Sequence, residues 1–207
     1  MDIWNDIREE LRKYQTTYEH LNNIGETLNR FSSFDKECLS KGQLYSKLWM
    51  VSKLKEITNN LGIVYLYCGW YAIIAEMLFN NFRVERIKSF DIDKECEEIA
   101  DEINIQYVMD NWLFKSFTED INKVDCNEAN TVINLACEHL EDNTWFHNIP
   151  ENRLVILQSN NFKLVPTHIN CVETVDEMLV KYPLFKIHSI DTLDLIGYTR
   201  FMIIGTK

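Results

Sequence analysis

The sequence predicts an α/β fold: one mostly parallel sheet of about seven strands, ending in an antiparallel pair and preceded by a helical extension. Three observations predict it. From residue 63 onward, short runs rich in Val, Ile, Leu and aromatic residues alternate with segments of helical length and period, the pattern of a parallel sheet covered on both faces. The last two runs are joined by only "TLDLIGY" (192–198), too short for a crossover helix, so that pair runs antiparallel. The first sixty residues instead place apolar side chains at three-and-four spacing, the period of helices.

Taken in order, Trp4, Ile7, Leu11, Tyr14, Tyr18, Leu21, Leu28 and Phe31, with Ile24 or Gly25 in the interval, form one stripe along a long N-terminal helix. The stripe is expected to pack on the rest of the chain, with a homodimer seam through these helices as the weaker alternative, because its seam positions are mixed aromatics. "SSFD" (32–35) breaks that helix. A second follows with Leu44, Leu48, Val51, Leu54 and Ile57 inward, and "NNLG" (59–62) supplies an Asn/Gly stop. Predicted strands are "IVYLYC" (63–68), "RIKSFD" (86–91), "TVINLA" (131–136), "RLVILQS" (153–159), "FKIHSID" (185–191) and "TRFMIIGT" (199–206), with a short one at "QYVMD" (106–110). Predicted helices between them are "YAIIAEMLFNN", "DKECEEIADEIN", "EHLEDNTWFHN" and "VETVDEMLVKY". The division is therefore a helical cap over 1–60 and a sheet domain over 61–207.

Composition narrows the function. The 207 residues are 46% hydrophobic, with three prolines and six glycines, enough to build a core and too few breakers for a linker-rich chain. No apolar window is long enough to span a membrane, and the charged start "MDIWNDIREE" is unlike a secretory signal, so a cytoplasmic protein is expected. The six cysteines form no CxxC pair and read as reduced thiols, mostly in the core. Net charge is −11; residues 1–60 carry nine acidic and nine basic side chains, so residues 61–207 hold the whole excess, 23 acidic against 12 basic. Such a surface repels a phosphate backbone, so no long nucleic acid is expected as a partner. Lys41, Lys47, Lys53 and Lys55 form one basic cluster, read as a solvated helix face.

Ligands of doubly wound sheets sit outside the carboxyl ends of the strands, and five segments reach that edge. The first strand leads into "CGWYA" (68–72), with one glycine, Gly69, followed by Trp70 and Tyr71. The second ends in "SFDIDKEC", where Asp91 stands at the strand terminus and Asp93 is placed to cap the next helix. "FKSFTEDINKVD" offers Asp120, with Asp110 upstream as the alternative. The fourth strand runs into "NLACEHLED", which sets Asn134 ahead of Cys137, Glu138 and His139. Consecutive residues do not face one another, so Cys137 and His139 are no self-contained nucleophile pair; Glu138 or His139 as general base is the sharper reading. After the fifth strand come Gln158, Ser159, Asn160, Asn161 and, further on, His168. A metal held by Glu138, His139 and His168 is geometrically conceivable, but nothing in their spacing demands it, and no metal is expected.

The order and spacing of these elements resemble the class I S-adenosylmethionine (SAM)-dependent methyltransferases, over roughly residues 60–207. The resemblance implies a Rossmann-like domain that binds SAM and transfers its methyl group to a small or medium polar substrate. It implies cofactor contacts from Gly69, Trp70 and Tyr71 in the first loop, ribose contacts from Asp91 or Asp93, and an adenine contact from Asp120. It places substrate chemistry at Asn134, Glu138 and His139. The sequence departs from the family in that first loop, which usually has two or three glycines. It also lacks the prolines that follow the Asn or Asp in amino-methylating members. Two alternatives stay open: other SAM chemistry (aminocarboxypropyl transfer, cyclisation or cleavage of SAM), and a non-catalytic methyltransferase-like subunit.

Overall fold

A computed structural model of the chain describes residues 17–207. Helix α1 (Tyr18–Arg30) is capped by the Thr17 hydroxyl, which accepts the His20 N–H at 3.2 Å. Its inward side chains Leu21 and Ile24 are fully buried, with Leu28 and Phe31 packed beside them. The described part of the N-terminal stripe is thus spent on the chain's own core; Trp4, Ile7, Leu11 and Tyr14 lie outside the described residues. A 3-10 turn (Lys36–Leu39) leads into α2 (Lys41–Lys55), which buries Leu44, Met50, Val51 and Leu54. Trp49 Nε1 donates to Asp191 Oδ2 at 3.1 Å and so ties α2 to the far edge of the sheet.

The sheet elements follow as β1 (Asn60–Tyr67), α3 (Ile74–Asn81), β2 (Arg83–Asp91), α4 (Lys94–Ile103), α5 (Ile105–Met109), β3 (Phe114–Thr118) and β4 (Thr131–Asn134). The chain continues through a 3-10 turn (Cys137–His139), α6 (Thr144–His147), β5 (Leu154–Asn160), α7 (Val175–Lys181), β6 (Lys186–Leu195) and β7 (Tyr198–Thr206). One sheet joins all seven strands in the order β3-β2-β1-β4-β5-β7-β6, and β7 alone runs against the others. The alternation along β1 shows how both faces are filled: Val64 and Leu66 enter the core shared with α1 to α4. Tyr65 and Tyr67 enter the opposite one with Trp145, Phe146 and Tyr182. The six cysteines are free thiols. Among the described residues no helix is long and apolar enough to cross a membrane.

Three sequence expectations are corrected. "QYVMD" is not a strand: α5 occupies it, because Tyr107 stacks on Phe79 (centroids 4.1 Å apart) and its hydroxyl donates to Glu76 at 2.6 Å. "NNLG" is not a helix stop, since α2 has already ended at Lys55. Gly62 instead sits in an irregularity of β1 with φ +59, where a Cβ would meet Asn130 at 2.3 Å. The segment 138–148 is not one helix but a 3-10 turn and the single turn α6, separated by Leu140–Asn143.

Candidate functional site

The carboxyl ends of β1, β2, β4 and β5 bring most of the predicted residues to one edge. On the β1 side, Cys68, Trp70 and Ala72 all have positive φ (50, 49 and 48). Three non-glycine residues in the left-handed region within five positions make this a strained turn, at about 1 kcal/mol or more each. Gly69 is not among the left-handed residues. Its need is space: a Cβ there would lie 2.0 Å from Ser89 Oγ, so glycine lets the turn lie directly on β2.

Asp91 closes the turn. Its Oδ2 accepts the Trp70 N–H at 2.9 Å and its Oδ1 accepts the Asp93 N–H at 3.1 Å. Burial pushes its carboxyl pKa up, against the pull of those N–H groups. Asp93 caps α4, accepting the Glu95 N–H at 2.9 Å. Tyr71 turns away from the strand ends. It is buried, stacks on Phe34 with centroids 5.0 Å apart, and its hydroxyl accepts the Asp35 N–H at 3.2 Å. Trp70 is half-buried, so it is the aromatic of the pair left near the edge. Asp120 accepts the Asn122 N–H at 3.0 Å in the turn after β3 and pairs with Lys123. The alternative, Asp110, lies at the end of α5.

The β4 side differs in kind. Asn134 is fully buried; its Oδ1 accepts the Ala136 N–H at 3.0 Å while its Nδ2 has no partner. Glu138 is 1% exposed. Its Oε1 accepts from Asn160 Nδ2 and lies 3.8 Å from the buried Arg200 guanidinium, and its Oε2 has no partner. The Asn170 N–H donates to the Glu138 carbonyl at 2.9 Å, fastening the loop after β5 to this turn. That loop delivers His168, whose ring stands edge-on to His139 with centroids 4.6 Å apart. One donor atom from each of Glu138, His139 and His168 lies within 4.8 Å of the others. His139 is exposed in part, and desolvation of the rest of its ring lowers its pKa. Cys137 is fully buried and burial pushes its thiol far up, so it is a packing residue and no nucleophile.

Two residues join the site that the sequence had not placed there: Arg200 was not singled out, and Lys47 was read as part of a solvated basic face. Arg200 lies near the start of β7, its guanidinium 3.8 Å from Glu138; a lone charge inside the apolar run "TRFMIIGT" was the available signal. Lys47 faces inward from α2, where burial and the nearby Arg200 charge lower its pKa to about 8. The basic cluster is therefore not one solvated face: Lys53 pairs with Asp191, Lys55 donates to Asn81, and the half-buried Lys47 donates to Gln43 Oε1 at 2.9 Å. A cleft of about 820 Å³ opens at the opposite, amino-terminal ends of β1, β2, β4 and β5, lined by Asn60, Arg83, Asn130 and Arg153 among others. None of the predicted residues lines it, and the strand geometry favours ligands at the carboxyl ends.

No family model matches the chain, and no curated protein does. Solved structures do. The N-methyltransferase NodS from Bradyrhizobium japonicum WM9, in complex with S-adenosyl-L-homocysteine, superposes with a TM-score of 0.62 at 11% identity. The match covers 88% of this chain and 98% of NodS. The PH0226 protein from Pyrococcus horikoshii OT3 gives 0.61 at 11% identity over 86% and 99% of the two chains. A geranyl diphosphate methyltransferase, in complex with GPP and sinefungin, gives 0.59 at 8% identity over 79% and 77%. The chain has the class I methyltransferase fold, in a divergent sequence.

Proposed function

We propose that the chain is a SAM-dependent methyltransferase acting on a small or medium polar acceptor. The observation that carries this reading is the carboxylate at the end of β2. Asp91 is half-buried at the switch edge of the sheet and bonded to the Trp70 N–H of the β1 turn, and each of its oxygens still has a lone pair to offer. Such an acceptor-only group suits the two hydroxyls of a ribose. Trp70 would line the cofactor and Asp120 its adenine end. We assign Gly69, Tyr71 and Asp93 to holding the turn and the α4 cap in place, in keeping with their hydrogen bonds and packing.

The acceptor would lie between this turn and the 134–139 segment. Bound SAM supplies an electrophilic methyl on its own leaving group, so the protein's task is positioning. Asn134 Nδ2 can orient the acceptor, and Glu138 and His139 are the groups of the segment able to draw off its proton. The acidic surface of residues 61–207 favours a small acceptor over a long nucleic acid. The strained, aromatic turn favours a second reading, the same cofactor with a different bond broken, because this turn would face the amino-acid end of SAM.

Calorimetric titration with SAM and S-adenosyl-L-homocysteine tests the cofactor. Asp91→Ala should weaken binding by about 1.5–3 kcal/mol, the range for a hydrogen bond to a charged group. Unchanged affinity would remove Asp91 from the ribose, and no binding by the wild-type chain would leave a non-catalytic subunit. Mass analysis of products separates methyl transfer from other SAM chemistry.

A further inference from the structure

We propose that Glu138, His139 and His168 form a binding site for a divalent transition-metal ion, of the zinc type, with open positions toward solvent. The convergence is the first ground: one nitrogen or oxygen donor from each residue lies within 4.8 Å of the other two. These are distances that a small rotation of each side chain closes around one ion of 2.0–2.2 Å bond length. The second ground is independent of it. Glu138 is 1% exposed, yet its Oε2 has no hydrogen-bond partner. A buried carboxylate oxygen left without a partner costs free energy unless something cationic or protic meets it there.

The surroundings suit two of these donors to a metal site. His168 Nδ1 lies 2.6 Å from the Phe162 carbonyl oxygen, which can only accept, so Nδ1 carries the proton and Nε2 keeps its lone pair. Carbonyl groups holding the far side of ligating imidazoles are the usual second layer of such sites. Asn160 and Arg200 both engage Oε1 of Glu138, which leaves Oε2 as the oxygen without a protein partner. Arg200 keeps its charge on the far oxygen and lowers the charge the ion must neutralise.

Donor chemistry selects the ion. Two imidazoles and one carboxylate suit Zn²⁺, Fe²⁺ or Co²⁺, whereas Mg²⁺ and Ca²⁺ call for oxygen donors throughout. Three protein ligands leave at least one position open, and the partial exposure of His139 puts it on the solvent side. That position would take water or a hydroxyl of an acceptor and lower its pKa, so that no free imidazole base is required. The substrate class this favours is a small molecule with an oxygen donor able to bind the ion. The metal site stands on these residues alone and does not depend on SAM being the cofactor.

The test uses the full chain, stripped with chelator and titrated separately with Zn²⁺ by calorimetry and with Co²⁺ by visible absorption. One equivalent of each ion should bind, and bound Co²⁺ should show the intense visible bands of a four- or five-coordinate site. The variants His139→Gln and His168→Gln should each weaken uptake at least about tenfold, with an unchanged far-ultraviolet dichroism spectrum as the check on folding. The double variant should abolish it. Absence of stoichiometric uptake by the wild-type chain, or equal uptake by a folded double variant, would overturn the site. SAM titration of the same samples separates this outcome from failure of the methyltransferase reading: loss of metal with SAM affinity intact removes only the metal reading, and the reverse removes only the cofactor.

Discussion

The two sides of the carboxyl edge of the sheet are finished differently. On the β1/β2 side the polar groups of the turn and of the β2 end have protein partners, with Ser89 Oγ beneath the turn as the buried exception. Asp91 holds two N–H groups, Asp93 caps α4, the Tyr71 hydroxyl takes the Asp35 N–H, and Gly69 leaves no space above Ser89. On the β4/β5 side, Asn134 Nδ2, Glu138 Oε2 and Arg200 Nε are all buried without partners. Both sides lie at the ends of one sheet, so the difference is not one of fold. The first side is a scaffold whose shape is fixed before any ligand arrives. The second holds polarity that protein alone does not satisfy, which is where ligand chemistry is expected.

If the first side is packed to completion, one added methyl should be costly. Gly69→Ala places a Cβ 2.0 Å from Ser89 Oγ and 3.3 Å from Ser89 Cβ, so the hydroxyl must swing away and the turn must give by a few tenths of an ångström. A loss of about 2–3 kcal/mol is expected, the upper range for overpacking, read as a lower urea midpoint without cofactor. Wild-type stability in this variant would mean that the turn has slack, and the contrast would fail.

Next in size is Asp91→Ala measured without any ligand. Because Asp91 already bonds the Trp70 and Asp93 N–H groups, its loss should destabilise the free chain by roughly 1.5–3 kcal/mol. Asp91→Asn, which keeps an acceptor oxygen, should recover part of it. A carboxylate serving only a ribose would leave the free protein's unfolding curve unmoved.

How much of this contrast was legible beforehand follows from the range of the interactions. The strands were readable because apolar runs and β-branched residues act locally, and the antiparallel ending followed from the length of one connection. The misreading of 106–110 arose because its helix is made by Tyr107 reaching Phe79 and Glu76, some thirty residues away. The turn at 68–72 was located correctly, but which of its residues would take left-handed backbone was not legible. Left-handed backbone is normally glycine's province, whereas here Cys68, Trp70 and Ala72 adopt it and Gly69 serves close approach. Asn134, Glu138 and His139 could be picked out as strand-end polar residues. That His168 meets them was conceivable from the sequence but not decided by its spacing, because Asn160 and Asn170 bring it there through tertiary hydrogen bonds.

A smaller effect tests a buried pair away from that edge. His20 and Glu76 lie between α1 and α3, each 1% exposed, with His20 Nδ1 3.9 Å from Glu76 Oε2. Burial lowers the His20 pKa to about 4, against the pull of Glu76. Burial also pushes the Glu76 carboxyl up, but His20, Tyr107 and Thr17 outweigh it and leave its pKa lowered. Both folded pKa values are depressed, so the pair's contribution is complete above about pH 6.5 and is lost as pH falls toward 4. Between pH 7 and 5 a loss on the order of 1–2 kcal/mol is expected. His20→Gln should flatten that slope in urea titrations. An unchanged slope would assign the acid sensitivity to other groups.

The smallest effect separates the two aromatics of the turn. Tyr71 belongs to the scaffold by its stack on Phe34 and the Asp35 N–H on its hydroxyl, whereas Trp70 is half-buried at the carboxyl edge of the sheet. Tyr71→Phe keeps the stack and removes only the acceptor, so stability should fall by about 0.5–1.5 kcal/mol, the worth of one ordinary hydrogen bond. SAM affinity should not change, because the retained Tyr71 ring keeps its contact with Trp70, with centroids 5.4 Å apart. Trp70 should behave in the opposite way. In a variant lacking Trp4, Trp49, Trp112 and Trp145, its fluorescence should respond to SAM, since a ring lining the cofactor changes its polarity when the ligand arrives. A Tyr71→Phe chain that lost SAM affinity at unchanged stability would put the hydroxyl on the ligand. The β1 side would then be a binding surface in its own right, and the division between a satisfied scaffold and an unsatisfied reactive side would have to be redrawn through the turn itself.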